Sequence, residues 1–543
     1  MRRNTLLVRA TLLAALALTL VLPSTAVRAD DDSKQSARVT YVTGSTVYLD
    51  AGLAEGLRAG MELVLMRGGA TVALVEVKDV STHRASCTIV ERGLEPLAGD
   101  EVRFEAAETD PADAAAGAAV AGGAVVAGGE PPPPTAGRNR RGGRIHGRVG
   151  LRYLRVNDGL SDDSGYAQPA LDLRLDGANL AGTAWGFSVD ARARRTYRDR
   201  ADGERDDENR SRLYRLAAMR RGIHDRWDLT VGRQFSPSFA AVSIFDGVSA
   251  DYRGQRWAVG AFSGTQPDAA DFSFSDRIRE HGIYFRYHGR PADGRSWQFT
   301  TGLVGSYDES EVNREFFYLQ GRYNDRKLAV YFAQEVDFNR DWKSDEGESS
   351  VEPTSTFVSL RYQVSGAFEL HTGYDNRRNV RLYRDRVTPI TEFDDSFRRG
   401  VWAGASVRVF EHFRFGLDAR TNGGGDAGDA ETYSFLFGAH RLGRTNVNLN
   451  LRASRYTNEL VEGWLGALNA GLELGRRVYL QAYGGVRDEE NLALLPADNT
   501  LSWFGLDLEL ALARPWYLLL SAERTDGDFE EVDQYYANVS YRF

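Results

Sequence analysis

The chain has 543 residues, a net charge of −9, 56 glycines, 15 prolines and a single cysteine. The acidic balance argues against a nucleic-acid partner, and one cysteine excludes an internal disulfide framework. Such a length allows several soluble domains or one large barrel.

Residues 1–29 open with Arg2 and Arg3, run apolar from Leu12 to Leu22 and end in small residues at Val27 and Ala29. This pattern predicts a secretory signal peptide, cut after Ala29, and export from the cytoplasm. No cysteine directly follows the apolar stretch, so a lipid-anchored start is not expected. No other stretch is long and apolar enough to cross a bilayer as a helix.

Residues 36–105 read as a small β-domain. "ARVTYVTGSTVYLDAG", "MELVLMRGGATVALVEVKDV" and "AGDEVRFE" are short alternating runs separated by turns that contain Gly44, Gly56, Gly60, Gly68 and Gly99. Glycine precedes a strand in both "GLRAGMELVLMR" and "PLAGDEVRF", as at the corners of small barrels. The unit resembles the SH3-like modules of periplasmic and cell-envelope proteins. That resemblance implies an SH3-like or OB-like barrel, either docking a periplasmic protein or peptidoglycan or serving as a folded spacer. Cys87, in "ASCTIV", is expected to be an ordinary core residue. Residues 106–143 are an Ala/Gly/Pro-rich linker ending in "EPPPPTAGRNRRGG", which cannot bury a core and predicts a flexible tether.

From residue 144 to residue 543, period-two alternation recurs. "RIHGRVGLRY" sets Ile145, Val149, Leu151 and Tyr153 against His146, Arg148 and Arg152. "TNVNLNLRAS" sets Val447, Leu449 and Leu451 against Asn448, Asn450 and Arg452, and "SWFGLDLELAL" sets Phe504, Leu506 and Leu508 against Asp507 and Glu509. The runs are longer than strands of soluble sheets, and tight turns such as "GIHD", "RGQR" and "ARP" alternate with long charged connections such as "TYRDRADGERDDENRS". The prediction is an all-β protein: a transmembrane antiparallel β-barrel of about 22 strands, preceded by the small barrel.

The chain ends "YYANVSYRF", with Tyr535, Val539, Tyr541 and Phe543 on one face. This ending resembles the C-terminal signal of bacterial outer-membrane proteins, which implies recognition by the β-barrel assembly machinery of a Gram-negative cell. Loss of Phe543 is therefore expected to impair assembly. "VGRQFSPSFAAVSIFDGVSADYRG" is similar to stretches of porin-type barrels. Contact with outer-membrane lipid and lipopolysaccharide is expected, with the small domain in the periplasm. The acidic stretch "NDGLSDDSG" could hold calcium beside lipopolysaccharide, or simply be solvated.

Alternation assigns Arg148, Arg152, Asp172, Arg174, Asp190, Arg192, Arg194, Arg414, Asp418, Arg420, Asp507 and Glu509 to the lumen, where they either line an aqueous path or pair with one another. A ring of about 22 strands is roughly 40 Å wide, too wide for side chains to fill. Barrels of this size resemble TonB-dependent transporters, whose plugs are larger than this N-terminal region. Candidates to narrow the pore are loops 236–247 and 377–397, the small domain, or another protein. Holding a tethered domain in the lumen costs chain entropy, so the sequence favours a porin narrowed by its own loops. No G-x-S-x-G, H-E-x-x-H or CxxC motif is present, and the eight histidines show no ligand spacing, so no catalytic residue, metal or cofactor is expected. Two functions remain: a channel for polar solutes, or an assembly or export component whose barrel anchors a periplasmic docking module.

Overall fold

The computed structural model describes residues 34–43, 46–49, 51, 57, 61–67, 70–80, 85–92, 96, 100–105, 144–160, 165–199, 205–236, 242, 244–289, 295–387, 393, 396–410, 412–424, 428–440, 442, 445–475, 477–492 and 498–543. The signal peptide and the tether read from residues 1–29 and 106–143 lie outside the described residues, as do parts of both candidate constriction loops.

Six strands form the first closed barrel: β1 (Lys34–Thr43), β2 (Thr46–Leu49), β3 (Glu62–Arg67), β4 (Ala70–Val80), β5 (Ala85–Arg92) and β6 (Glu101–Glu105). Around the ring the order is β1, β2, β5, β4, β3, β6, and β6 pairs back onto β1 with Lys34 opposite Glu105. Alternate residues point inward and fill it. Val39, Val47, Leu49, Leu65, Val75 and Val77 are fully buried, and Cys87 lies among them. Each such aliphatic side chain contributes about 1.5–3 kcal/mol by leaving water.

The second barrel closes 22 strands, from Arg144–Asp158 to Glu531–Arg542, each antiparallel to its neighbours. Strand lengths run from 9 residues at Trp227–Phe235 to 19 at Arg205–Ile223. The seam pairs the last strand with the first, from Val532 opposite Asp158 to Arg542 opposite Arg148. Phe543 completes it: its N–H donates to the Gly147 carbonyl at 3.1 Å, and the Gly147 N–H donates back at 2.9 Å. No backbone edge is left for lipid to meet.

The polarity of this barrel is inverted. Leu417 is 64% exposed and Leu151 62%, both on the outer face, whereas the inward Asp507 and Ser540 are each 1% exposed and Gln481 is 0%. Outward aromatic residues gather near the tight-turn end. Trp227 meets Tyr252 at 5.1 Å between ring centroids, Tyr287 stacks on Trp297 at 4.8 Å, and Trp516 meets Tyr541 at 4.9 Å. Such girdles sit where a bilayer gives way to water.

The connections are less regular than alternation alone suggests. At the end opposite the tight turns, Asp308 is followed by only two residues before the next strand begins at Glu311, and Thr457 by only three before Val461. The segment "TYRDRADGERDDENRS" is mostly strand, because Trp185–Asp199 and Arg205–Ile223 stay paired to their tips. Cross-strand ion pairs hold them there: Arg195 meets Asp207 at 2.5 Å and Arg198 meets Glu208 at 3.8 Å.

The small barrel lies inside the large one, where chain entropy was expected to keep it out. Contacts with inward wall residues fix it, among them Arg38 with Asp190, Tyr48 with Asp507, the Ile89 carbonyl with Arg452, and Glu76 with Arg414. The cost of confining a tethered domain grows only as the logarithm of tether length, by about 0.6 kcal/mol per doubling. One well-buried aromatic side chain offsets several doublings.

Candidate pore and its resident barrel

Tyr48 is the centre of the berth. Its neighbours Val47 and Leu49 point into the small barrel's core, so Tyr48 itself points out, against the wall. There it is 1% exposed and packs with Leu519, Tyr536 and Leu154, while its hydroxyl donates to Asp507 Oδ2. Burial and then the charge of Asp507 push the Tyr48 phenol well above its ordinary value. The wall makes room for it. Tyr483 lies flat over Gly505, directly opposite on the next strand, where an added Cβ would come within 2.2 Å of the ring.

Arg38 is the second anchor. Its Nη1 donates to Asp190 at 2.7 Å and its Nη2 to Glu101 at 2.8 Å, while its guanidinium lies 4.0 Å from the centre of the Tyr214 ring. Burial opposes its charge, but Asp190 and Glu101 more than compensate and hold it protonated. On the far side, Arg452 donates to the Ile89 carbonyl at 3.1 Å, and Arg414 lies 3.7 Å from Glu76. Burial would raise the Glu76 carboxyl; Lys78 at 2.9 Å, with Arg414, holds it below the usual carboxylate range instead.

Most of the inward charges are paired. Asp172 takes Arg152 at 2.5 Å and Arg192 at 2.7 Å, and Arg174 lies 3.6 Å from Asp176. Asp418 meets His371 at 2.5 Å, and Arg420 donates to Asn422 at 2.7 Å. Arg148 sits opposite Arg174 on the next strand, and Glu509 follows Asp507 on the inward face, opposite Leu519. Of the twelve predicted positions, Arg194, Arg414, Asp418 and Arg420 line the cavity between the barrels and Asp190 and Asp507 touch the plug, and the twelve form no single cluster. Arg194 faces open space: a cavity of about 1900 Å³ remains between the two barrels, lined by Arg194, Arg212, Glu76, Arg361 and Asp418 among others.

One inward loop was not foreseen. Residues 266–277 bend into the lumen, where Phe272, at a φ of 62°, offers its carbonyl to Arg233 and its ring to Tyr214 at 5.4 Å. Of the two expected constrictions, the described part of 236–247 includes Val242, which joins Phe245, Phe262 and Phe316 in an apolar cluster. In 377–397, Arg381 pairs with Glu346, and the Tyr383 N–H donates to Asn313 Oδ1 at 3.0 Å. The described parts of both loops pack on the wall and also line the cavity, through Val242, Leu382 and Arg384. The larger obstruction is the small barrel, and its anchors Arg38 and Tyr48 escaped sequence reasoning. The available signal was an aromatic residue on the outer face of a small barrel.

A closed ring, an outward apolar band, an aromatic girdle and a charged lumen together define an outer-membrane β-barrel. The sequence matches no protein-family model and no curated protein. Among solved structures, the chain is similar to the translocation pore of the P pilus usher PapC, with a TM-score of 0.39, 12% identity, and coverage of 74% of this chain and 99% of that one. It is also similar to OccAB3 of Acinetobacter baumannii, with a TM-score of 0.38, 10% identity, and coverage of 74% and 99%. For OpdK of Pseudomonas aeruginosa, whose structure holds vanillate, the values are 0.37, 12%, 74% and 98%. At this level of likeness nothing about cargo passes from them to this chain.

Proposed function

We propose that this protein is an outer-membrane channel for polar solutes, with its N-terminal small barrel serving as a resident plug. The observation that carries this reading is the charged cavity of about 1900 Å³ left between plug and wall. Lumen charges of both signs, including Arg194, Arg414, Asp418 and Arg420, provide a hydrated path, and the mostly polar berth makes the plug removable rather than fused to the wall. In this reading the tight-turn end faces the periplasm, the outer girdles meet lipid and lipopolysaccharide, and Tyr535, Val539, Tyr541 and Phe543 present the assembly machinery with its signal. No catalytic residue, metal or cofactor enters the reading.

The test is deletion of residues 30–143, which removes plug and tether but leaves every strand of the large barrel. The shortened protein should insert and conduct severalfold more than the intact one in planar bilayers. Equal conductance would mean that the plug does not restrict flow. Silence from both forms would end the channel reading and favour a barrel that anchors a docking module for a periplasmic protein or peptidoglycan.

A further inference from the structure

Where the strand Trp185–Asp199 meets Arg205–Ile223, the register places Arg194 opposite Arg210 and Arg192 opposite Arg212. Opposed residues hold their Cβ atoms about 5 Å apart, and like charges in that arrangement weaken the pairing. Carboxylates relieve only part of the repulsion. Asp172 serves Arg192 at 2.7 Å and Arg152 at 2.5 Å, and Glu208 serves Arg210 at 2.5 Å and Arg198 at 3.8 Å. Asp190 is engaged by Arg38 of the plug at 2.7 Å.

Two guanidiniums are left over. Neither Arg194 nor Arg212 has a carboxylate within ion-pair distance among the described residues. Arg212 lies 4.8 Å from the centre of the Phe272 ring, and its buried Nε makes no hydrogen bond. The inward loop thus orients this side chain without neutralising it. Both arginines line the cavity together with Arg210, Tyr166 and Gln168.

We propose that Arg194, Arg210 and Arg212 form a binding site for a phosphate-type oxyanion carrying at least two charges, borne on a solute in the lumen. Two uncompensated cations are balanced by a dianion, whereas a single carboxylate leaves one of them unmatched. Guanidinium forks also match phosphate oxygens in bidentate geometry, which a compact ammonium would not. Tyr166 and Gln168 add neutral polar groups at the same rim. This proposal rests on the channel reading in one respect: the solute must reach the lumen.

Isothermal titration of the detergent-solubilised full chain tests the site without requiring conduction. Pyrophosphate is the probe and acetate the singly charged comparison. Pyrophosphate should bind at least tenfold more tightly than acetate. Arg194→Gln and Arg212→Gln should each weaken it by about tenfold, the scale of a lost charged hydrogen bond. Arg326→Gln, in a turn remote from the cavity, should leave it unchanged, and heat-modifiable migration identifies folded variants. Equal affinity for the two anions in the wild type overturns the site even where a variant fails to fold, and so does pyrophosphate binding that ignores both substitutions. Absent binding with intact conduction removes the site and spares the channel; binding without conduction does the reverse.

Discussion

The two barrels are built on the same period-two alternation and use it in opposite senses. The six-stranded ring is narrow enough for Leu65, Val75 and their neighbours to meet at its centre, so its apolar face turns inward. The 22-stranded ring is too wide to be filled by its own side chains, so many of its inward positions are polar and Leu151, Leu417 and Phe504 face out. Strand number decides what closure encloses, and that in turn decides which face must be apolar. Alternation alone cannot distinguish a core from a lipid-facing band. The two are distinguished by strand length and girdle residues.

The same apolar-to-arginine change therefore strikes the two barrels differently. Leu65→Arg puts a charge into the closed core of the plug and should cost about 4 kcal/mol or more, unfolding the plug alone. Limited proteolysis would show residues 34–105 cleaved while the large barrel stays heat-modifiable; a protected plug would mean that its core tolerates charge. Leu451→Arg, near the middle of Val447–Thr457 on the outer face, should cost roughly 2–4 kcal/mol in equilibrium unfolding from lipid vesicles. Leu449 lies nearer the turn end of the same strand and should respond less. The inward Asn450→Arg should be close to neutral, and equal losses at Leu451 and Asn450 would reverse the assignment of faces.

The gentlest change probes the join between the barrels. Tyr48→Phe keeps the ring against Leu519 and Tyr536 but removes the plug's hydroxyl donor to Asp507, which keeps Ser521, at about 1 kcal/mol. Plug docking should weaken, seen as more frequent openings in single-channel records, with the unfolding midpoint of the large barrel unchanged. Openings as rare as in the wild type would show that the hydroxyl contributes nothing to docking.

Much of the wall was legible because its signal is local. Each strand states its own two faces, so Asp172, Arg192 and Asp507 could be placed inside without knowing their partners. The berth was not legible, because its contacts are remote: Tyr48 and Asp507 stand 459 positions apart, and Arg38 and Asp190 stand 152 apart. A low-complexity tether between the domains carries no information about where the first one docks. The inward bend at 266–277 was hidden for a related reason. "DFSFSD" reads as a polar connection, and the contacts of Phe272 with the remote Tyr214, Arg212 and Arg233 draw it into the lumen. The extent of strand in "TYRDRADGERDDENRS" was misjudged because charged residues, which mark loops in solvent, also mark strand tips that outrun the membrane.

The pocket around Tyr48 is drawn from both sides of the seam. Leu154 comes from the first strand of the large barrel and Tyr536 from the last, and the two are direct partners in the register that closes the ring. An unclosed sheet has no such pocket, however well its other strands are formed. The plug is synthesised before any strand of the wall, yet Tyr536, on the strand that closes the ring, completes its resting place. Occupancy of that pocket consequently records that the ring has closed in the correct register: a slip of one residue would turn Tyr536 out toward lipid and leave Tyr48 with nothing to lie against.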